Sequence, residues 1–372
     1  MNRHIDFCIL GGGIAGLSIA DALSERDIEC LVVEKNDIGS GASGTPGGLV
    51  NPATGRRAKK SWKAEQGYEA IAENLYKVQS YSSNSFFQKN GLLRPALYEK
   101  MAQKMKDQYE NTSWPDDWCE WKTKKQIQEI HPGITCVDGG LWLPVGLTVD
   151  IGSYMVAYAK YLKKAGVEII TNNDPKEIHQ QTTDKWKIVI EGEIIIANHL
   201  IYATGHYTKE TKYWDWLPIN LIKGQVAKFK KENDPLSFSY SISSLGYIAR
   251  LNEEDTFIQG STYEHDFIHL NPDTEGEDYL RKRMQRTLPK LEEQSVLVDQ
   301  WAGVRTSTPN YKPILGEHPE YKNLHVFSGL GSKGLLFGKF LAEHYVDHLT
   351  NKEPLYPEIA IERFEYNIGN TD

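Results

Sequence analysis

Residues 5–34 read IDFCIL-GGGIAG-LSIADALSER-DIEC-LVVE, from Ile5 to Glu34. An apolar run, a glycine turn, an amphipathic stretch and a second apolar run spell strand, helix and strand, a βαβ unit. Each glycine has a task. Gly11 permits the tight turn off the first strand. Gly13 lets backbone approach a pyrophosphate with no side chain between, and Gly16 lets the helix lie close on the sheet. The helix start at Ile14 and Ala15 offers unpaired N–H groups and a positive dipole end to phosphates. Glu34 closes the second strand about 20 residues after the glycines, where a carboxylate accepts from both ribose hydroxyls. Glycines alone serve any tight turn. The strand before them, the helix after them and the acid at this spacing favour a dinucleotide.

Beyond Glu34 and Lys35 comes Gly39-Ser40-Gly41-Ala42-Ser43-Gly44-Thr45-Pro46-Gly47-Gly48-Leu49-Val50-Asn51-Pro52. So much glycine excludes a stable helix or strand over the whole stretch. The segment is either a flexible linker or backbone laid against a ligand. Its place after the ribose strand favours a ligand. Ser40, Ser43 and the N–H groups of Ala42 and Gly44 suit pyrophosphate or ribityl oxygens, and Gly48-Leu49 can lie under a ring. Arg56, Arg57, Lys59, Lys60 and Lys63 follow, as a solvated face or a phosphate-binding rim.

Farther along, residues 62–82 have helical periodicity. Phe86–Pro95 reads as a strand pair turning at Asn90-Gly91, and Asp150 reads as the cap of a helix ending before Gly166. Pro175 marks a turn. Lys187–Ile190 and Ile194–Ile196 read as a hairpin, followed by a strand ending in Ala203-Thr204-Gly205. From Ile219 to Thr308 strands dominate, which predicts a mainly antiparallel sheet in a second domain. GYIARL is one of those strands. The end returns to the first pattern: strand Leu324–Ser328, loop Gly329-Leu330-Gly331-Ser332-Lys333-Gly334-Leu335, and a helix from Phe337. That second glycine turn can hold a second anionic group.

With 372 residues, 40% of them hydrophobic, the chain has room for two domains and a sizeable core. A net charge of −8 argues against general nucleic-acid binding, though not against a local basic patch. The four cysteines show no metal spacing and no disulfide framework, which predicts no metal and a reducing, cytoplasmic compartment. The short N-terminal apolar run is interrupted by three glycines and belongs to the nucleotide fold rather than to a signal peptide. No stretch approaches the ~18 apolar residues of a membrane span.

These pieces together resemble the D-amino-acid oxidase superfamily, in particular its glycine oxidase branch and the FAD domain of the tRNA-modifying enzyme MnmC. The carriers are ILGGGIAGLSIA with LVVEK, GSGASGTPGGLVNP, the ATG strand, LIKGQ, GYIARL, QWAGVRTSTPNYKPILGEHP and GLGSKGLL. The resemblance implies an α/β fold: a Rossmann-type FAD-binding domain (1–84, 145–218 and 309–372) and a mainly antiparallel substrate domain (85–144 and 219–308). It implies noncovalent FAD, since no cysteine stands in VRTSTPN. Gly11, Gly13 and Gly16 would hold the pyrophosphate, Glu34 the ribose, and Pro175 would place backbone against adenine. Gly48 and Leu49 would lie beside the isoalloxazine, with Gly331, Ser332, Lys333 and Gly334 at its pyrimidine end. Ala203, Thr204, Gly205, Gly303 and Leu335 would line the same cofactor.

Arg305 matches an arginine that clamps the substrate carboxylate, a task suited to a planar guanidinium. Tyr247 matches a tyrosine that helps hold it. Lys333 stands where the nearest relatives carry arginine. The resemblance implies oxidation of a glycine-, sarcosine- or D-amino-acid-like amine by hydride transfer to flavin, with O2 as the usual acceptor. His265, Asp266 and His269 are candidates to tune the amine's ionisation. The alternative is MnmC-like removal of a carboxymethyl group from a wobble uridine in tRNA, to which the basic run lends support. The overall acidity and the lack of a methyltransferase domain weigh against a complete MnmC. A third alternative is a flavin-binding interaction module without turnover. The oligomeric state is left open.

Overall fold

The computed structural model describes residues 2–232, 236–250 and 255–365. The opening motif folds as the sequence predicts: strand Asn2–Leu10 lies parallel to Cys30–Val33, joined by helix Ile14–Ser24. Cys30–Val33 is buried throughout, as expected of a parallel strand covered on both faces. Outward on that side lies Glu168–Ile170; on the other, Glu193–Tyr202 and then Leu324–Ser328, all parallel. An antiparallel hairpin, Glu177–Thr182 with Lys185–Ile190, and the strand Ile314–Glu317 complete eight strands.

Helices Ile14–Ser24, Ala64–Gln79, Ile151–Lys164 and Gly334–Asn351 share the core on one face. Trp186, Tyr213 and Trp214 fill the other. Asp150 caps its helix by accepting from the Ser153 N–H at 3.0 Å, and Gly166 beyond the end has φ +95°.

A second eight-stranded sheet runs Ser295–Ser307, Asn220–Lys231, Thr256–Gly260, Tyr247–Arg250, Ser241–Ser243, Leu92–Pro95, Gly139–Leu143, Glu120–Thr123. All its pairings are antiparallel except Ser241–Ser243 with Leu92–Pro95. Segments 85–144 and 219–308 thus share one sheet, and on that sharing we propose the two-domain division. One face packs Ala227, Phe229 and Phe257 against Leu280 and Met284 of helix Thr274–Thr287. The opposite face gathers Val226, Ala249 and Ile258 with the partly buried Leu49, Tyr247 and Trp301.

Two local readings change. Phe87–Gln88 and Leu92–Pro95 are strands but not a pair: the first joins Leu147–Val149, the second Gly139–Leu143. Gly91, at φ +82°, turns the chain between two sheets, so nonlocal partners take the hydrogen bonds that a hairpin would have used. Ile194–Ile196 and the following strand are one continuous strand, Glu193–Tyr202, with Asn198 reaching across to Asp6. The expected strand GYIARL is observed as Tyr247–Arg250; Leu251 lies outside the described residues. Among the described residues no helix is long and apolar enough to cross a membrane.

Candidate functional site

The glycine turn is sterically closed at two positions and open at a third. A Cβ on Gly11, at φ +109°, would stand 2.5 Å from the Ala203 carbonyl, and one on Gly16 would stand 1.9 Å from the Gly11 carbonyl. On Gly13 it would meet only the Ser43 hydroxyl, at 3.1 Å, so this position faces a groove rather than the sheet. Helix Ile14–Ser24 has no side-chain cap at Gly13, and the Ile14 N–H donates to Ser43 Oγ at 3.0 Å. The Glu34 carboxylate accepts from the Gly12 and Asn36 N–H groups, at 2.5 and 2.9 Å, and is therefore fixed at the turn.

Asn173 donates its N–H to the Glu34 carbonyl, which brings the Pro175 turn alongside. Lys35 is drawn outward to Asp174 at 3.0 Å and over the Tyr207 ring. The Ala203 N–H donates to the Leu10 carbonyl, Thr204 bonds Thr208, and Gly205 is exposed at φ +59°.

The second glycine turn meets the first. Ile14 lies under Gly334, whose Cβ would be 3.5 Å from its Cδ1, and under Gly338. Helix Gly334–Asn351 likewise starts without a side-chain cap. Two helix starts whose N-cap residues provide no side-chain cap therefore converge, the first with its leading N–H on Ser43, and each turns a positive dipole end to the groove. The glycine-rich loop comes in between. Ala42–Gly44 makes one short turn that follows Ser40, and Gly48–Val50 is a strand whose first Cα faces Ile151 and Leu335, at 2.7 and 3.3 Å from a Cβ there. Gly331 is tied to the Thr306 carbonyl at 2.8 Å, while Ser332 is exposed.

Arg305 projects from strand Ser295–Ser307 on the face that carries Leu49 and Tyr247. Its Nη1 donates to Ser261 Oγ at 3.0 Å and its Nη2 to the Thr262 carbonyl at 2.7 Å. Its plane lies 4.4 Å from the Tyr263 ring centroid. Among the described residues this partly buried cation has no carboxylate partner; its acceptors are neutral.

Gly224, paired with Gly303 across the strands, makes the space for it: a Cβ at 224 would be 2.2 Å from Arg305 Nη2. Gly303 does the same for the Trp301 ring, which a Cβ would meet at 2.3 Å. Tyr247 donates its hydroxyl to the Gly47 carbonyl at 2.9 Å, and burial pushes its pKa up to about 12. It is a neutral donor at physiological pH.

Other candidates disperse. Lys333 donates to the Tyr311 carbonyl at 3.2 Å rather than joining Arg305 or Tyr247; burial and the neighbouring Lys312 lower its pKa. His265, Asp266 and His269 line a cleft with Leu221, Lys223 and Asp273. Along strand Asn220–Lys231, residues 221 and 223 alternate with Ile222 and Gly224, so that cleft opens on the opposite side from Arg305.

The basic run also divides. Lys60 is taken by Glu65 and the Ser113 carbonyl, and Lys63 lies over the Tyr356 ring, whereas Arg56, Arg57 and Lys59 are exposed. Sequence reasoning missed Gly224, Ser261, Thr262 and Tyr263 as partners of Arg305. The available signal was a glycine in the middle of a strand, which marks a close approach.

A family model described as FAD dependent oxidoreductase (DAO) matches residues 6–348. The tRNA 5-methylaminomethyl-2-thiouridine biosynthesis bifunctional protein MnmC of Leptospira interrogans serogroup Icterohaemorrhagiae is 25% identical over 395 residues. That similarity covers 95% of this chain and 58% of the relative, so the chain spans little more than half of that protein's length. The glycine oxidase of Bacillus subtilis is 21% identical over 364 residues, covering 95% of both chains. The crystal structure of glycine oxidase from Geobacillus kaustophilus superposes with a TM-score of 0.84 at 20% identity, over 98% of this chain and all of that one. L-proline dehydrogenase from P. horikoshii gives 0.81 at 19%, over 96% of each.

The converging helix starts, the fixed Glu34 and the glycine cradle fit the cofactor of such enzymes in donor chemistry and in space. With the family model spanning almost the whole chain, this protein belongs to the DAO family of FAD-dependent oxidoreductases.

Proposed function

We propose that this enzyme oxidises the C–N bond of an amine carrying a nearby carboxylate, of the glycine, sarcosine or D-amino-acid type, with O2 as acceptor. The observation that carries the reading is Arg305: a partly buried guanidinium with only neutral acceptors, on the face shared by Tyr247 and Leu49. Bound FAD supplies the hydride acceptor. In this reading Gly11, Gly13, Ile14, Ala15, Gly16 and Ser43 hold its pyrophosphate and Glu34 its ribose. Gly48, Leu49 and the 331–335 loop take its ring.

Arg305 offers its fork to the substrate carboxylate while Ser261 and Thr262 fix its orientation, so the amine-bearing carbon is held in one place. Tyr247, kept protonated, can exchange its Gly47 partner for a carboxylate oxygen. Hydrogen and its electron pair leave the carbon together, and the lone pair of a neutral amine closes the C=N bond. Water then hydrolyses the imine. No side-chain base is needed, which agrees with His265 and His269 lying on the other side of the sheet.

Anaerobic mixing of the holoenzyme with sarcosine, glycine or D-alanine tests the reading. Bleaching of the flavin by at least one is the expected result, and a flavin that stays oxidised with all three refutes it. A second reading is the carboxymethyl group of a modified tRNA uridine, itself an N-substituted glycine. The exposed Arg56 and Arg57, and the name of the MnmC relative, support it. Bleaching by carboxymethylaminomethyl-bearing tRNA alone would select it.

A further inference from the structure

Strand Asn220–Lys231 is flanked by Ser295–Ser307 on one edge and by Thr256–Gly260 on the other. Arg305 starts on the first neighbour, opposite Ile222, and its guanidinium lies over Gly224. It ends on the far edge, where Ser261, Thr262 and Tyr263 continue beyond Gly260. Three consecutive residues therefore supply its hydroxyl acceptor, its carbonyl acceptor and its ring platform. Where the fork points depends on how that short segment is held along the strand.

Glu264 closes the segment. Its backbone exchanges two hydrogen bonds with Lys223, each at 3.0 Å. Thr262 is tied to the same strand: its N–H donates to the Gln225 carbonyl at 3.1 Å, and its hydroxyl accepts from the Gln225 N–H at 2.8 Å. Lys223 and Gln225 alternate with Gly224, so their side chains lie on the face away from Arg305. The Glu264 carboxylate joins them there. One oxygen accepts from the Thr262 hydroxyl and from Gln225 Nε2, the latter at 3.1 Å; the other is 3.3 Å from Lys223 Nζ.

The Lys223 side chain is 2% exposed, and its Nζ also lies 3.0 Å from Asp273 Oδ2. The other Asp273 oxygen accepts from the Gly276 N–H at 2.8 Å and caps helix Thr274–Thr287. A buried ammonium holds its carboxylates firmly, because leaving it unpaired is costly. Thr262 thus joins the two faces. Its hydroxyl is fixed by Glu264, and its carbonyl accepts from Arg305 Nη2 at 2.7 Å. The same contacts keep the Glu264 carboxylate, two residues from Thr262, off the guanidinium.

We propose that Glu264 is a positioning residue for the carboxylate clamp: gripped beneath the sheet by Lys223 and Gln225, it fixes Thr262, and through the Thr262 carbonyl it sets the aim of Arg305 and leaves that charge to the substrate. The inference rests on the reading of Arg305 as the clamp. It also gives the LIKGQ stretch one purpose, with Lys223 and Gln225 gripping below while Gly224 makes room above.

The test is calorimetric titration of the holoenzyme with butyrate. In Glu264→Gln, one oxygen and one NH2 replace two acceptors, so a donor must face a donor on one side. Lys223 keeps Asp273, so the ammonium stays paired. Butyrate should weaken about tenfold with FAD content unchanged. Thr262→Val, which keeps the shape and the carbonyl but loses the hydroxyl, should weaken it likewise, and Thr262→Ser should restore it. In an Arg305→Lys background, where the fork is absent, Glu264→Gln should cost no more than about twofold. Unchanged butyrate affinity in Glu264→Gln or Thr262→Val overturns the positioning role, as does a full tenfold loss in the Arg305→Lys background. Arg305→Met separates the two ideas. Butyrate binding unchanged in that variant refutes the clamp itself, whereas a loss there with none in Glu264→Gln refutes the positioning alone.

Discussion

Gly224→Ala adds one methyl group to the middle of strand Asn220–Lys231. The new Cβ would stand 2.2 Å from Arg305 Nη2 and 2.7 Å from Cζ. Ordinary contact begins at 3.4 Å, so the guanidinium must move by 3.4 − 2.2 = 1.2 Å. The clash is with the end of a flexible side chain, and the strand ladder with Ser295–Ser307 keeps its hydrogen bonds. Stability should therefore change little, and the cost falls on the position of Arg305. A displacement of about 1 Å in a positioning group commonly costs about a hundredfold in rate, equivalent to about 2.7 kcal/mol. Three measurements on one preparation check this: FAD content, flavin reduction by sarcosine under anaerobic conditions, and the dissociation constant of butyrate. We expect full FAD, reduction slowed about a hundredfold and butyrate weakened in parallel. Wild-type kinetics and butyrate affinity in Gly224→Ala would refute the idea that Arg305, held over Gly224, is the carboxylate clamp. Loss of FAD instead would show that the strand, not the arginine, took the strain.

Arg305→Met should leave the protein yellow and lower kcat/KM roughly a hundredfold or more; Arg305→Lys, which keeps charge but loses the fork, should remain badly impaired. Gly16→Ala inverts the usual gain of a glycine-to-alanine change in a helix: with a Cβ 1.9 Å from the Gly11 carbonyl, urea unfolding should show a loss of about 1–3 kcal/mol. Acid precipitation should release the flavin into the supernatant, and flavin retained in the pellet would indicate a covalent link. Burial raises Tyr68 and Tyr247 to about 12, against about 10 in the unfolded chain, so the native state binds more protons between those values. The contribution of these two tyrosines should be constant up to about pH 9 and fall as pH rises from about 10 to 12, by up to about 2.7 kcal/mol per tyrosine; Tyr68→Phe should reduce the slope measured by urea titration in that range.

The part of the candidate site proposed for the cofactor was legible in the chain because it is built from backbone. A turn that must pass within contact distance of Ala203, or a helix that must touch the Gly11 carbonyl, admits only glycine, and a residue without alternatives leaves a mark in the sequence. Gly11 and Gly16 are such marks, Glu34 stands at the expected spacing after them, and that spacing is local, so a reader needs no knowledge of the fold to find them. Phe86–Pro95 misled for the converse reason. Its alternation and its Asn90-Gly91 turn are hairpin signals, yet the hydrogen bonds go to Leu147–Val149 and Gly139–Leu143, more than forty residues away.

The part proposed for the substrate follows a different logic. Arg305 is held by Ser261 and Thr262, given room by Gly224 and backed by Tyr263, and these residues come from three separate segments that only the sheet register brings together. None of these side chains is the only one that could serve locally, so none stands out alone. The same register explains why one glycine in LIKGQ carries information. Gly224 faces Gly303 across the ladder; the first leaves room for the Arg305 guanidinium and the second for the Trp301 ring. The space over Gly224 fixes the arginine by shape as well as by hydrogen bonds, and no carboxylate among the described residues pairs with it. That arrangement is why Arg305 is the residue proposed to take the substrate carboxylate.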